Sequence, residues 1–294
     1  MKPLFTGTGT AIVTPFRNDE IDWEAFEALI EEQLANGVSC LVAAGTTGEP
    51  STMTWKEHLQ VIRFVTDKAK GRACVIAGTG SNCTKEVIEA AKEVKDWGAD
   101  AQLCVTPYYN KTTQDGLVAH YNAIADSDTL PVVVYNVPGR TGMNITPGAL
   151  KRITAHENVV AVKEANPDFV EAMEKIRLCG DQVTFYSGMD ELIIPLMNIG
   201  FKGVISVVSN VMPKETSEMT RLALEGKWAE ANALQLKYLP FIQSLFYETN
   251  PTPAKAALSL MGKMSDEVRL PLVPMSAPNR AKMVALMQEL GLIK

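Results

Sequence analysis

The stretch Asn158-Val159-Val160-Ala161-Val162-Lys163-Glu164-Ala165 places a lysine directly after four apolar residues. An ammonium there is poorly solvated and must neutralise, pair or react. Desolvation favours the neutral amine, and a neutral amine attacks a ketone to form a Schiff base. The other reading is a structural ion pair with an acidic neighbour, and position alone leaves both open. The apolar run before it, Val132-Val133-Val134, ends in Tyr135. Its phenol can carry protons to and from an adduct on such an amine, or it can be a hydrogen-bonded core tyrosine. Arg140 follows in Pro138-Gly139-Arg140-Thr141-Gly142, where a held guanidinium can grip a carboxylate through two parallel hydrogen bonds. Loop arginines are otherwise solvated.

Two further loops carry polar groups. In Gly45-Thr46-Thr47-Gly48-Glu49 the glycines allow close backbone approach and two hydroxyls sit beside free N–H groups. Such a loop can cradle a small carboxylate or simply lead into the next helix. Val105-Thr106-Pro107-Tyr108-Tyr109-Asn110 offers adjacent tyrosines for the site or for a subunit contact. Other chemistries find less support. The histidines His58, His120 and His156 lack metal-ligand spacing. Cys40, Cys74, Cys83, Cys104 and Cys179 are odd in number, widely spaced and without a C-x-x-C pair, as in a reduced cytosolic core. Gly78-Thr79-Gly80 begins like a dinucleotide fingerprint but has Cys83 where the third glycine belongs, so a tight turn is expected. Glu24, Glu27, Glu31 and Glu32 read as a solvated helix face, and the methionines as packing.

The elements that must position these groups alternate in a regular way. Short apolar runs rich in β-branched residues fall at 10–14, 38–43, 73–77, 101–106, 132–136, 159–163, 183–186 and 203–207, with amphipathic stretches between them. Helix starts are marked by Asp22, by Thr54 with Glu57 as a capping box, by Thr84, and by Thr146 before Pro147. Continuous runs such as Val132-Val133-Val134 suit strands covered on both faces. Eight β-then-α units predict a (β/α)8 TIM barrel over 1–225, with its site at the C-terminal ends of the strands. An open doubly wound sheet fits less well, because no Gly-rich fingerprint follows the first strand. Beyond 226 only helical periodicity remains, at 228–246, 254–260 and 280–290, so a C-terminal helical bundle is expected over 226–294. Asn250-Pro251-Thr252-Pro253 separates the first of these helices from the second.

Composition agrees with one large domain or a domain plus an appendage: 294 residues, 46% hydrophobic and 21% charged. A net charge of -6 gives no general reason to bind nucleic acid or an anionic membrane. No apolar run approaches the ~20 residues that span a bilayer. The N-terminus turns polar almost at once, so no secretory signal is seen and a cytoplasmic protein is expected.

In order and at this spacing, Gly45-Thr46-Thr47-Gly48-Glu49, Tyr135-Asn136-Val137-Pro138-Gly139-Arg140-Thr141-Gly142 and Val162-Lys163-Glu164-Ala165 closely resemble the dihydrodipicolinate synthase family. The resemblance runs through nearly the whole chain. It implies a lyase of lysine and diaminopimelate biosynthesis that condenses pyruvate with L-aspartate 4-semialdehyde, without metal or organic cofactor. Lys163 would hold pyruvate as an imine while Tyr135 transfers protons and Thr46 links Tyr135 to Tyr109 of a neighbouring subunit. Arg140 would take the carboxylate of the aldehyde and Thr47 that of pyruvate, with Gly188 and Ile205 lining the pocket beside the lysine. A homotetramer of two tight dimers is expected.

The similar enzymes that act on N-acetylneuraminate or 2-keto-3-deoxy sugar acids share the lysine and tyrosine, and Arg140 fits the synthase pattern rather than theirs. A barrel retained without catalysis is disfavoured by the joint presence of Lys163, Tyr135, Thr46, Tyr109 and Arg140. Some relatives bind lysine in a cleft at the tight dimer interface. Ser51, His58, Asn82, Glu86 and Tyr108 mark the matching cleft here, but Pro50 and Trp55 depart from its polar pattern. Weak or absent inhibition by lysine is therefore expected.

Overall fold

A computed structural model describes residues 2–294. Eight parallel strands close into a barrel: β1 (Gly7–Ala11), β2 (Cys40–Ala43), β3 (Cys74–Gly78), β4 (Ala101–Val105), β5 (Val132–Asn136), β6 (Val159–Glu164), β7 (Thr184–Ser187) and β8 (Gly203–Ser206). β1 pairs with both β2 and β8, which closes the ring. Side chains alternate between two apolar regions, as strands covered on both faces require. Phe5, Val42, Ile76, Leu103, Val133, Ala161, Tyr186 and Ile205 fill the barrel interior. Val132, Val134, Val159 and Val162 face the helices instead, against Leu117, Tyr121, Ile124 and Leu150.

Seven of the strands lie within two residues of their expected starts. The exception is β1, which begins at Gly7 rather than at 10. Its Gly7-Thr8-Gly9 opening carries no apolar periodicity. The space a side chain at Gly9 would need is occupied by the Phe5 ring, 2.8 Å from an added Cβ. Ile12 and Val13 remain buried but belong to the loop that leads to a short hairpin, Phe16–Arg17 against Glu20–Ile21.

The ring of helices is α1 (Trp23–Ala35), α2 (Trp55–Ala69), α3 (Thr84–Lys95), α4 (Gln114–Ala125), α5 (Pro147–Ile153), α6 (Phe169–Cys179), α7 (Ile193–Asn198) and α8 (Pro213–Leu224). Asp22 caps α1 by accepting from Ala25 N–H, and Thr146 caps α5 through Ala149 N–H. Thr54 and Glu57 form the reciprocal capping box of α2. Thr84 differs from its expected role: it is the first helical residue of α3, after Cys83, and its hydroxyl lies 2.8 Å from His120 Nδ1. A buried imidazole on the neighbouring helix takes the hydroxyl that a free helix start would have used.

Three helices follow, α9 (Trp228–Ser244), α10 (Thr252–Leu260) and α11 (Ala277–Glu289). Phe241, Ile242, Leu245, Ala257, Leu258, Met283 and Met287 from this extension share one apolar cluster with Leu29, Ile30, Val61 and Val65 of α1 and α2. Each large apolar side chain buried this way contributes about 1.5–3 kcal/mol. The extension is thereby fixed to the barrel near the loop after β2.

Candidate active site

Lys163 sits on β6 directly opposite Tyr135 on β5. Its Nζ lies 4.3 Å from the centroid of the Tyr135 ring, and the residue is 6% exposed. Among the described residues no carboxylate stands within 4 Å of this nitrogen, whereas the other buried lysines have such partners: Lys175 pairs with Glu164 at 2.9 Å, and Lys255 with Glu49. Glu164, next to Lys163 in the chain, points out of the barrel, so the acidic neighbour that could have paired with Lys163 is turned away from it.

Gly188, after β7, leaves the space the lysine needs. A Cβ there would stand 3.1 Å from Lys163 Cε and 2.8 Å from Ala165 Cβ. Ile205 is buried in the same interior cluster as Tyr135. Asp190 lies just beyond, its Oδ2 accepting from the N–H groups of Val207 and Val208 at 2.9 and 2.8 Å. Burial pushes its carboxyl up, and those hydrogen bonds together with the charge of Lys163 oppose the shift.

A cavity of about 760 Å³ opens beside this group. Thr46, Tyr135, Val137, Arg140 and Thr141 are among its lining residues. Thr46 and Tyr135 line it without a direct hydrogen bond between them. Thr47 is buried and its Oγ1 accepts from Asn250 Nδ2 at 3.0 Å, while Arg140 Nη2 donates to the Asn250 carbonyl at 3.3 Å. Both residues expected to bind carboxylates are thus held by one residue of the C-terminal extension. The proline-rich segment Asn250–Pro253 signalled only a helix break in the sequence, and a polar residue between two apolar helices was the one cue to more. Glu49 is held from the same side: it adopts a left-handed φ of 57° and pairs with Lys255. Burial lowers Lys255 to about 8, and Glu49 opposes that shift.

Tyr109 is 92% exposed, has a left-handed φ of 66°, and does not line the cavity of its own chain. Pro50, Ser51, Trp55, His58, Glu86 and Tyr108 line the same cavity. His58 Nε2 lies 2.7 Å from the Gly78 carbonyl oxygen, and burial lowers its pKa. Glu86 accepts from Ser81 Oγ at 2.6 Å. Asn82 ties the loop by donating to the Tyr108 carbonyl at 3.2 Å. Four of the five expected cleft residues therefore line one space with part of the site, and Asn82 braces it from behind. Among the described residues, no three His, Cys, Asp or Glu side chains gather as a metal ion would need, and no helix is long and apolar enough to cross a membrane.

The model of the dihydrodipicolinate synthetase family matches residues 4–290. The chain belongs to this family. It is 50% identical over 290 residues to the 4-hydroxy-tetrahydrodipicolinate synthase of Geotalea uraniireducens, covering 99% of this chain and 100% of that one. Among solved structures, the dihydrodipicolinate synthase of Acinetobacter baumannii complexed with pyruvate superposes with a TM-score of 0.96 at 42% identity, over 98% of this chain and 99% of that one. The enzyme of Cyanidioschyzon merolae with lysine bound gives 0.95 at 38% identity, over 99% and 100%. The (β/α)8 barrel expected from the alternation of elements is the fold of this family's structures.

Proposed function

We propose that the chain is a 4-hydroxy-tetrahydrodipicolinate synthase that condenses pyruvate with L-aspartate 4-semialdehyde on Lys163. The observation that carries the reading is a buried lysine with no carboxylate partner, stacked on a tyrosine ring beside a cavity lined by Thr46 and Arg140. The Lys163 amine adds to the keto carbon of pyruvate, and water leaves to give the imine. Loss of a methyl proton gives an enamine, whose carbon attacks the aldehyde carbon of the second substrate. The amino group of that substrate then displaces Lys163 from the imine carbon and closes the ring.

Tyr135, in ring contact with Nζ, carries the protons of these steps. Thr46 relays them to Tyr109 of a second subunit, whose outward direction suits such a reach. Thr47 binds the pyruvate carboxylate and Arg140 that of the aldehyde, with Gly188 and Ile205 shaping the wall around the imine. The assembly in this reading is a cytoplasmic homotetramer. Tyr108 and Tyr109 form one contact, and the exposed Val170 and Met173 of α6 offer apolar surface for a second. The cleft at Ser51, His58, Asn82, Glu86 and Tyr108 binds lysine weakly or not at all, because Pro50 and Trp55 supply no matching polar contacts. Half-inhibition by submillimolar lysine in a steady-state assay would contradict this.

The test of function is consumption of aspartate semialdehyde in the presence of pyruvate, with borohydride trapping mapped by mass spectrometry. The expected result is turnover and a pyruvate-derived mass on Lys163. Turnover of N-acetylneuraminate or a keto-deoxy sugar acid in its place would overturn the reading.

A further inference from the structure

The direction in which Lys163 points depends on one extra residue in β6. Val132 pairs with Val159, but the next residue, Val133, pairs with Ala161, so Val160 has no counterpart on β5. The packing shows the same offset. Val159 faces the helices, Val160 and Ala161 both face the barrel interior, and Val162 faces the helices again. Only this break in alternation turns Lys163 inward and Glu164 outward. A strand that kept strict alternation from Val159 would send Lys163 under the helices and Glu164 into the barrel, since a slip of one residue exchanges the two faces.

The apolar pairs after the offset, Val133 with Ala161 and Val134 with Val162, discriminate weakly between registers because valine and alanine suit either face. The last pair is different. Asn136 lies opposite Glu164 on the outer face, and its Nδ2 donates to Glu164 Oε1 at 2.7 Å. The same oxygen accepts from Asn166 N–H at 2.9 Å, and Glu164 Oε2 accepts from Lys175 Nζ at 2.9 Å. Asn136 Oδ1 in turn accepts from Ile145 N–H at 3.0 Å. Asn136, Glu164 and Lys175 are each at most 1% exposed. In the slipped register the Glu164 carboxylate would enter an apolar interior and leave Lys175 buried without that partner, which is strongly unfavourable.

We propose that Asn136, Glu164 and Lys175 form a register lock: behind the reacting pair, they hold the offset made at Val160 and so keep Lys163 turned into the barrel against Tyr135. The three are positioning residues, and this role rests on the reading that Lys163 carries the imine. Gly188 completes the arrangement, its N–H donating to the Glu164 carbonyl at 2.7 Å while its missing side chain leaves room for the lysine. Burial pushes the Glu164 carboxyl up, and Lys175 opposes that shift. The lock is therefore strongest with both partners present.

The test compares full-length Asn136→Ala and Glu164→Ala with Leu222→Ala, a core truncation on α8 distant from the lock, each at the same interval below its own unfolding midpoint. Two labels are read at Lys163 by peptide mass spectrometry: pyruvate with borohydride, and formaldehyde with cyanoborohydride, which needs no catalytic activity. Both lock variants are expected to lose at least about tenfold in each labelling rate relative to the control, because small misplacements of a reacting group are costly. The pyruvate step should fall in kcat more than KM rises. Glu164→Gln combined with Lys175→Met keeps an acceptor for Asn136 and removes both charges together, and should recover labelling. Should Glu164→Ala fail to fold, Asn136→Ala decides alone. Labelling of Asn136→Ala by formaldehyde at the control rate overturns the lock. Wild-type protein that takes formaldehyde but never pyruvate overturns the function instead, with the lock still judged on the formaldehyde rates.

Discussion

Lys163 and Lys175 lie on opposite sides of β6, one inside the barrel and one beneath the helices, and both are buried. Lys175 meets two carboxylates, Glu164 at 2.9 Å and Glu171 at 2.7 Å, and is a structural group tied to both. Lys163 meets a tyrosine ring and a glycine. Lys255, on α10 of the extension, repeats the first pattern with Glu49. Burial alone therefore does not make a lysine reactive. The acidic partner decides, and in β6 the one acidic side chain beside Lys163 is turned to the other face.

Removing the reacting amine is the sharpest test of that contrast. Lys163→Ala should abolish pyruvate labelling and lower kcat by about 10⁴-fold or more, with a smaller change in unfolding midpoint than loss of an ion-paired lysine, because no ion pair within 4 Å is broken and only the longer-range charge felt by Asp190 is lost. If Lys163→Ala instead unfolds the protein while keeping activity, the contrast fails. Tyr135→Phe comes next: labelling by pyruvate should persist while turnover falls by about 10²–10⁴-fold. Steady-state rates at saturating substrates measure it.

Lys255→Met should do the opposite of Lys163→Ala. It strands the Glu49 carboxylate and should cost about 3–5 kcal/mol in denaturant unfolding, with Glu49→Gln in the same chain recovering much of the loss. The smallest effect belongs to a pair nearer the surface. The Arg269 guanidinium, with the Thr54 cap, holds Glu57 down to about 2. A carboxyl lowered on folding stabilises above its ordinary value near 4.5 and loses that contribution as pH falls through the lowered one. Glu57→Gln keeps an acceptor for the capping box and should cost under about 1 kcal/mol at neutral pH. The difference from wild type should shrink as the pH falls from about 4.5 towards 2, read from unfolding curves across that range.

Much of the site is legible in the sequence. A lysine or tyrosine closing an apolar run stands out in the sequence, and the strand ends of a barrel are where such residues converge. Thr46, Tyr135 and Arg140 do share a cavity, and Lys163 adjoins it. Asn136 and Glu164 stood inside the motifs but carried no visible task, since their partners Asn144 and Lys175 belong to other segments. Asn250 was hidden for the same reason, lying 203 residues from the Thr47 hydroxyl it donates to.

The order of strands and helices, the barrel they predict and the identity of the residues at the strand ends follow from the sequence, because hydrophobic period and capping are local properties. Tertiary structure alone decided the face on which Lys163 emerges, the lysine that Glu164 pairs with, and the reach of the extension to Thr47 and Arg140. Those outcomes depend on strand register and on distances between segments far apart in the chain, and no local pattern encodes either.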